Sequence, residues 1–207
     1  MSKGLFISVE GTDGCGKSTQ IPMISKYLEN KGYVVNVLRE PGGTITGEKI
    51  REILLDPVNT GICDMTEILL YAAARAQIMQ EKIKPYLLAE EIVICDRFVD
   101  SSLAYQGYGR KVDINVIIDI NKIALDGVMP DITLFFDIPP DIAMKRRLST
   151  GYTDRIENES IEFHRRVYEG YKALAYRFKD RIKTINAQKT VDEVFNEIII
   201  YLEEVIL

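Results

Sequence analysis

The sequence predicts an α/β fold in which helices cover a doubly wound, five-stranded parallel sheet. Three observations carry this prediction. Five short apolar runs recur along the chain, segments with helical spacing separate them, and a glycine-rich segment follows the first run at residues 11–19. The apolar runs are continuous and do not alternate with polar residues, which is typical of parallel strands buried on both faces.

The apolar runs predict the strands, which are listed here in chain order: Leu5–Val9, Val34–Leu38, Ile92–Cys95, Ile132–Phe136 and Ile182–Ile185. Helices are predicted between them from apolar residues spaced three or four apart, as at Ile21, Ile24 and Leu28. The last helix should be amphipathic, because Thr190 and Glu193 form a capping-box pattern before a run with helical period.

Composition limits the classes of function. The chain has 207 residues, 46% of them apolar, and a net charge of -5, so we expect one domain over residues 1–207 and no nucleic-acid partner. Its apolar stretches are shorter than the roughly 20 residues of a membrane-spanning helix, so we expect no membrane association. The 3 cysteines form no C-x-x-C pair and the start lacks a signal-like pattern, which favours the cytoplasm.

The glycine-rich segment has the spacing of a phosphate-binding loop, G-x-x-x-x-G-K-S. Its residues are Gly11, Thr12, Asp13, Gly14, Cys15, Gly16, Lys17, Ser18 and Thr19. Glycines let backbone N–H groups surround an anion, and the N-terminus of the following helix adds partial positive charge. Lys17 should reach the outer phosphates of a nucleotide, and Ser18 should offer its hydroxyl to Mg²⁺. A turn with a purely structural role is the alternative.

Two further turns follow predicted strands and carry groups that bind anions or metals. Asp96 and Arg97 close the third strand, where the carboxylate could hold Mg²⁺ directly or through water and the guanidinium could bridge phosphate oxygens. The second strand ends in R-E-P-G-G-T, in which Arg39 could bind another anion. A surface ion pair and a simple glycine turn are the respective alternatives.

A basic, glycine-containing segment after the fourth strand predicts a lid at about residues 146–158. Lys145, Arg146, Arg147 and Arg155 flank the stretch S-T-G-Y-T. Basic side chains on a lid can exclude water and supply charge to a transferring phosphoryl group. Arg155 is the better candidate for that role, and Lys145 fits a solvated helix face.

Four motifs occur in order with the phosphate-binding loop: R-E-P-G-G-T from Arg39, D-R-F from Asp96, S-S-L-A-Y-Q-G from Ser101 and D-R-I-E from Asp154. In combination they make the chain similar to the thymidylate kinases, from the phosphate-binding loop to the last helix. The resemblance implies a P-loop nucleoside monophosphate kinase-like fold and a homodimer. It implies transfer of the γ-phosphoryl group of ATP to dTMP with Mg²⁺, giving dTDP and ADP in dTTP biosynthesis. Since the loop lacks arginine, the chain resembles the bacterial type whose catalytic arginine lies in the lid.

The resemblance also implies roles for individual residues. Those implied to be catalytic are Lys17, Asp96, Arg97 and Arg155, and those implied to bind ATP are the loop residues Gly11–Thr19 and Arg147. The residues implied to bind dTMP are Asp13, Arg39, Tyr71, Arg75, Arg97, Ser101, Ser102, Tyr105 and Gln106. Among them Asp13 would face the sugar 3'-hydroxyl, Tyr71 would stack on thymine and Arg75 would donate to a base carbonyl. Ser18 and Asp96 would bind the metal.

Three rival functions share part of this pattern. Another deoxynucleotide or nucleoside kinase would have the same loop and a different acceptor. A GTP-binding switch predicts an N-K-x-D motif, and the nearest string, which starts at Asn121, lacks the aspartate. A nucleic-acid-binding ATPase would require a basic face that the net charge of -5 does not suggest.

Overall fold

A parallel sheet of five strands organises the protein in a computed structural model that describes residues 4–147 and 154–206. The strands are β1 (Phe6–Glu10), β2 (Val35–Arg39), β3 (Ile92–Asp96), β4 (Ile132–Asp137) and β5 (Ile182–Asn186). Their order across the sheet is β2-β3-β1-β4-β5, and all neighbours are parallel. The predicted fold class is therefore confirmed, and each predicted strand matches an observed one to within one residue at either end.

Helices connect the strands on both faces of the sheet. In the described part of the chain the α-helices are α1 (Lys17–Asn30), α2 (Ile45–Leu55), α3 (Asp64–Ile78), α4 (Lys84–Leu88), α5 (Val99–Ser102), α6 (Ile114–Leu125), α7 (Pro140–Arg147), α8 (Ile161–Arg177) and α9 (Val191–Ile206). Two π-helical turns, Met79–Ile83 and Leu103–Gly109, extend α3 and α5. The predicted capping box precedes α9, where Thr190 N–H donates to Glu193 Oε2 at 3.0 Å. None of the described helices combines the length and the apolarity that crossing a membrane requires.

The two faces of the sheet have separate cores, because successive side chains of a strand point to opposite faces. Ile7 and Leu134 pack in the cluster that contains α1 and α9 residues, whereas Phe135 packs in the cluster formed with α8. The central strands β1, β3 and β4 are almost wholly buried, as predicted. The prediction of burial is wrong for β2 and β5, which are only half-buried since an edge strand has a neighbour on one side only.

The direction of the strands decides where functional residues meet. Because all five strands are parallel, the segments that follow them lie along one edge of the sheet. The glycine-rich loop follows β1, Glu40 follows β2 and Arg97 follows β3. Residues far apart in the sequence therefore line one cleft at this edge.

Candidate active site

A cleft of about 1260 Å³ lies at the carboxyl edge of the sheet. It extends from the phosphate-binding loop to α3 in one direction and to the start of α9 in the other. Single small-molecule sites usually measure about 300–1,000 Å³. The cleft is therefore large enough for more than one small ligand.

The phosphate-binding loop turns through left-handed backbone conformations that only glycine adopts without strain. Gly11, Gly14 and Gly16 have φ angles of 143°, 81° and 104°. Lys17 Nζ folds back over the loop and donates to the carbonyls of Gly11 and Thr12, at 3.1 and 3.4 Å. Its ammonium group therefore already lies where the sequence predicts an anion.

Arg97 and Asp13 form an ion pair beside the loop. Arg97 has a φ of 68°, an unusual conformation for a residue other than glycine. Its Nη2 donates to Asp13 Oδ1 at 2.7 Å, and its guanidinium lies 5.1 Å from the ring centroid of Tyr105. Burial would raise the pKa of Asp13, but Arg97 and Lys17 outweigh it and lower the pKa to about 2. Asp13 is thus an ionised acceptor at neutral pH.

Asp96 and Ser18 present oxygen atoms to the same part of the cleft. Asp96 Oδ1 is buried and has no hydrogen-bond partner among the described residues. Ser18 is exposed in the cleft at the start of α1. Carboxylate and hydroxyl oxygens are ligands that Mg²⁺ accepts, with phosphate oxygens and water completing its coordination. These two residues therefore fit the predicted metal site.

The predicted dTMP site is brought together by α3, α5 and the second π-helical turn. Eight of the nine residues predicted to bind dTMP line the cleft: Asp13 and Arg97 beside the loop, and Tyr71, Arg75, Ser101, Ser102, Tyr105 and Gln106 on these elements. Arg75 is only 1% exposed, and its Nη1 donates to Ser102 Oγ at 2.9 Å. The hydroxyl of Tyr105 is buried without a partner in the described part of the chain. A π-helical turn at this position fits the frequent occurrence of such turns at functional sites.

Buried carboxylates hold these side chains and were not singled out as site residues from the sequence. Glu10 accepts hydrogen bonds from Ser101 Oγ at 2.6 Å and Tyr171 Oη at 2.9 Å. Glu67 accepts from Gln106 Nε2 at 3.0 Å. Burial would raise the pKa of Glu67, but Arg110 and Gln106 outweigh it and lower the pKa. No sequence motif marks these carboxylates, because their partners lie on other elements.

On the β2 side, the arginine that lines the cleft is not the one that the sequence predicts. Arg39 was predicted to bind dTMP, but it does not line the cleft, and its Nη2 pairs with Glu48 Oε2 at 2.8 Å. Arg51, which the sequence analysis missed, does line the cleft from α2. Its Nη1 donates to the carbonyl of Pro41 at 2.9 Å. Its position on the cleft side of α2 depends on how α2 packs, which the sequence pattern did not indicate.

The predicted lid is only partly described. Residues 148–153 and the side chain of Arg147 lie outside the described residues. Arg155 points away from the cleft, since its Nη2 donates to Glu67 Oε2 at 2.6 Å and its Nε to the carbonyl of Leu54 at 2.7 Å. The expected position over the phosphates is therefore not the position in this structure, because the buried carboxylate of Glu67 attracts the guanidinium.

The opposite end of the cleft is formed by Arg146 and by the segment between β5 and α9. Arg146 Nη1 donates to the carbonyl of Ala187 at 3.0 Å. Ala187, Lys189 and Thr190 line this end together with Val191. The phosphate-binding loop thus lies between the two ends of one continuous cleft, the α3 end and the α9 end.

A five-stranded parallel α/β fold with a phosphate-binding loop in a cleft large enough for more than one ligand is the fold of a P-loop nucleoside monophosphate kinase. Comparison with known proteins identifies the family within this class. A family model described as Thymidylate kinase matches residues 9–198. The chain belongs to the thymidylate kinase family, whose activity is phosphoryl transfer to dTMP.

Individual relatives agree with this assignment over almost the whole chain. A thymidylate kinase from Geobacillus sp. (strain WCH70) is 50% identical over 195 residues, which are 93% of each chain. One from Caldanaerobacter subterraneus subsp. tengcongensis is 48% identical over 202 residues, 98% of this chain and 96% of the relative. The crystal structure of thymidylate kinase from Ehrlichia chaffeensis is similar with a TM-score of 0.79 and 34% identity, covering 97% of this chain and 99% of that one.

Proposed function

We propose that this protein transfers the γ-phosphoryl group of ATP to dTMP in a Mg²⁺-dependent reaction that produces dTDP and ADP. The observation that carries the proposal is the position of Lys17, Arg97 and Asp13, which line the part of the cleft between α3 and the start of α9. In this arrangement the α9 side would hold the donor nucleotide and the α3 side would hold dTMP.

Charge compensation is the main task that we assign to the central residues. Lys17 and Arg97 lie beside the phosphate site and offset the charge of the migrating group. Ser18 and Asp96 would hold Mg²⁺, which supplies further neutralisation at the phosphate oxygens when bound. No general base is assigned, because the acceptor phosphate is already ionised at neutral pH and positioning supplies much of the rate.

Arg51 is a further cation that lines the cleft, on its α3 side, and we assign it a share of the charge compensation. Arg155 would share this role only after its guanidinium leaves Glu67. We keep the proposed lid at about residues 146–158, with Arg147 as a donor-site residue.

The acceptor site is assigned to the residues around α3. Tyr71 would stack on the thymine ring and Arg75 would donate to a base carbonyl. Ionised Asp13 would accept a hydrogen bond from the sugar 3'-hydroxyl, which avoids direct contact between its charge and a phosphate. Tyr105 and Gln106 would complete the sugar and base pocket, with Ser101 and Ser102 beside them.

The test is an ADP-release assay with purified protein, ATP, Mg²⁺ and one acceptor at a time. We expect turnover with dTMP and much slower turnover with thymidine and with the monophosphates of uridine, cytidine and adenosine. Folded protein that releases no ADP with dTMP would contradict the proposal. Equal turnover with another acceptor would instead support a different deoxynucleotide or nucleoside kinase.

We also propose that the enzyme is a cytoplasmic homodimer. Helices α3 and α6 pack against each other, and each leaves apolar side chains exposed, including Leu69 on α3 and Ile123 on α6. The exposed thiol of Cys63 is unpaired, which suits a reducing compartment. Light scattering should give twice the chain mass, and Ile123→Asp should give a monomer. Leu88→Asp on α4 is the control, because Leu88 is also exposed but lies on a different helix.

A further inference from the structure

Glu40 lies directly after β2 and contacts the arginine that is proposed to read the acceptor base. Its Oε2 accepts hydrogen bonds from Arg75 Nε at 2.9 Å and from Arg75 Nη2 at 2.6 Å. Both side chains are almost completely buried. The backbone of Glu40 is itself attached to the end of β3, since its N–H donates to the carbonyl of Asp96 at 3.0 Å. The carboxylate is therefore a rigid support for the guanidinium.

The Nη1 side of the Arg75 guanidinium is also held by hydrogen bonds. Arg75 Nη1 donates to Ser102 Oγ at 2.9 Å and also to Asn121 Oδ1. Asn121 is fixed in turn, because its Nδ2 donates to the carbonyl of Ile117 at 2.9 Å. A guanidinium has five N–H donors. Four of them are used within the described part of the chain, which leaves one N–H on Nη2 for a molecule in the cleft.

A single N–H donor in a fixed position can discriminate between thymine and cytosine by the group at ring position 4. Thymine has a carbonyl oxygen at ring position 4, where cytosine has an amino group. A fixed N–H donor pairs with the carbonyl and leaves the amino group facing another donor, so that neither is satisfied. The discrimination depends on orientation, because a guanidinium that can rotate would recruit water or a different edge of the base.

We infer that Glu40 is the positioning residue for acceptor specificity: by holding two donors of Arg75, it directs the remaining N–H at the base and so selects a carbonyl over an amino group. This inference rests on the proposed function. It gives a role to the glutamate of the R-E-P-G-G-T motif, which lines the cleft together with Arg75 and for which the sequence pattern indicates only a turn. Asn121 supports the same orientation from α6.

The experiment compares wild type with Glu40→Gln, using steady-state kinetics and calorimetric binding of dTMP and dCMP. Glutamine keeps the size and one acceptor oxygen but removes the charge. We expect the KM and Kd for dTMP to rise about tenfold and the preference for dTMP over dCMP to shrink about tenfold, as for the loss of a charged hydrogen bond. The KM for ATP should stay constant and kcat should change less than about threefold, since Arg75 acts on binding of the base.

The split between binding and turnover separates positioning from a merely structural role, because a general loss of structure would lower kcat and raise the KM for ATP as well. Glu91→Gln is the matched control, because Glu91 pairs with Asn36 at the other end of the strands. It should leave the KM for dTMP and the preference for dTMP over dCMP unchanged.

Two outcomes would overturn the inference. One is a Glu40→Gln protein with unchanged affinity and unchanged preference for dTMP over dCMP, and the other is a variant whose kcat alone falls. If Glu40→Gln does not fold, Asn121→Ala supplies the second test, and an unchanged base preference in that variant counts against the inference. Wild-type protein that binds dTMP without phosphorylating it would refute the proposed function and leave the binding comparison valid.

Discussion

The two ends of the acceptor half of the cleft are built in different ways. At the phosphate end, the contacts of Lys17 are local, since it bonds to carbonyls five and six residues before it and glycines provide the turns. The ion pair of Arg97 with Asp13 is the long-range contact at this end. At the base end, Glu40 and Arg75 are 35 residues apart, and Glu67 and Arg155 are 88 apart. Lys17 lines the cleft and is 7% exposed, whereas Arg75 and Glu67 are each 1% exposed. The phosphate end is a short motif, and the base end is part of the core.

The two ends should therefore respond differently to substitution. A side chain at the phosphate end contributes mostly to binding and chemistry, because removing it leaves the core intact. A buried ion pair at the base end contributes to folding as well, since removing one partner leaves an uncompensated charge in the interior. Activity and stability should therefore separate at the first end and be coupled at the second.

The largest effect is expected at the phosphate end, from Lys17→Met. We expect kcat/KM for ATP to fall about 1,000-fold, because Lys17 is the ammonium group inside the loop and charge compensation dominates this reaction. The melting temperature should stay within about 2 °C of wild type. Lys26→Met on the exposed side of α1 is the control. Strong destabilisation by Lys17→Met would contradict the contrast between the two ends.

The next effect is a loss of stability at the base end, from Glu67→Gln. Glu67 pairs with Arg110 at 3.1 Å and Arg155 at 2.6 Å, so neutralising it should cost about 3 kcal/mol of unfolding free energy. The expected decrease in melting temperature is about 6–12 °C, measured by circular dichroism. Glu204→Gln on the exposed face of α9 should have no effect. An unchanged melting temperature would mean that the buried network is not a source of stability.

The third effect concerns which arginine, Arg51 or Arg155, supplies positive charge to the transferring phosphoryl group. Arg51→Ala should lower kcat about 100-fold with little change in stability, because Arg51 faces the cleft and donates to a backbone carbonyl, that of Pro41, and not to a buried carboxylate. Arg155→Ala should lower kcat less than about tenfold and should lower the melting temperature, because Arg155 is a partner of Glu67. The reverse pattern, a collapse of kcat for Arg155→Ala without destabilisation, would establish the predicted lid role.

The smallest effect concerns the acid stability of the phosphate end. The folded pKa of Asp13, about 2, lies below its ordinary value of 3.8, so its ionised form stabilises the fold above pH 3.8. This contribution is lost as the pH falls from 3.8 through 2. Urea unfolding of wild type and Asp13→Asn should therefore differ most above pH 4 and converge near pH 2. A difference that grows towards low pH would show that the sign is wrong.

Much of the fold followed from local patterns. Continuous apolar runs predicted all five strands because a buried parallel strand must be apolar on both faces. The same pattern could not indicate that β2 and β5 lie at the edges, since strand order is decided by packing. The capping box at Thr190 was predictable because its partner, Glu193, is three residues away.

The candidate site also contains residues that local patterns predict and residues that only packing brings together. Loop residues such as Lys17 were predictable from spacing alone, and the family resemblance supplied Tyr71 and Arg75, which line the cleft as expected. Glu40 and Arg51 could not be predicted as site residues, because the role of a glutamate or an arginine depends on which residues it contacts in the folded chain. Arg155 was placed by resemblance at the phosphates, yet in this structure it follows the nearest buried carboxylate.

The sequence by itself determined the strands, the phosphate-binding loop and the chemistry that such a loop supports, because each depends on residues within one turn or one strand. Only the tertiary structure decided which charges are paired in the interior. It directed Arg75 with Glu40, turned Arg155 towards Glu67 and brought Arg51 to the cleft. The physical reason is that a buried charge must find an opposite charge or a hydrogen bond, and packing determines which one is near enough.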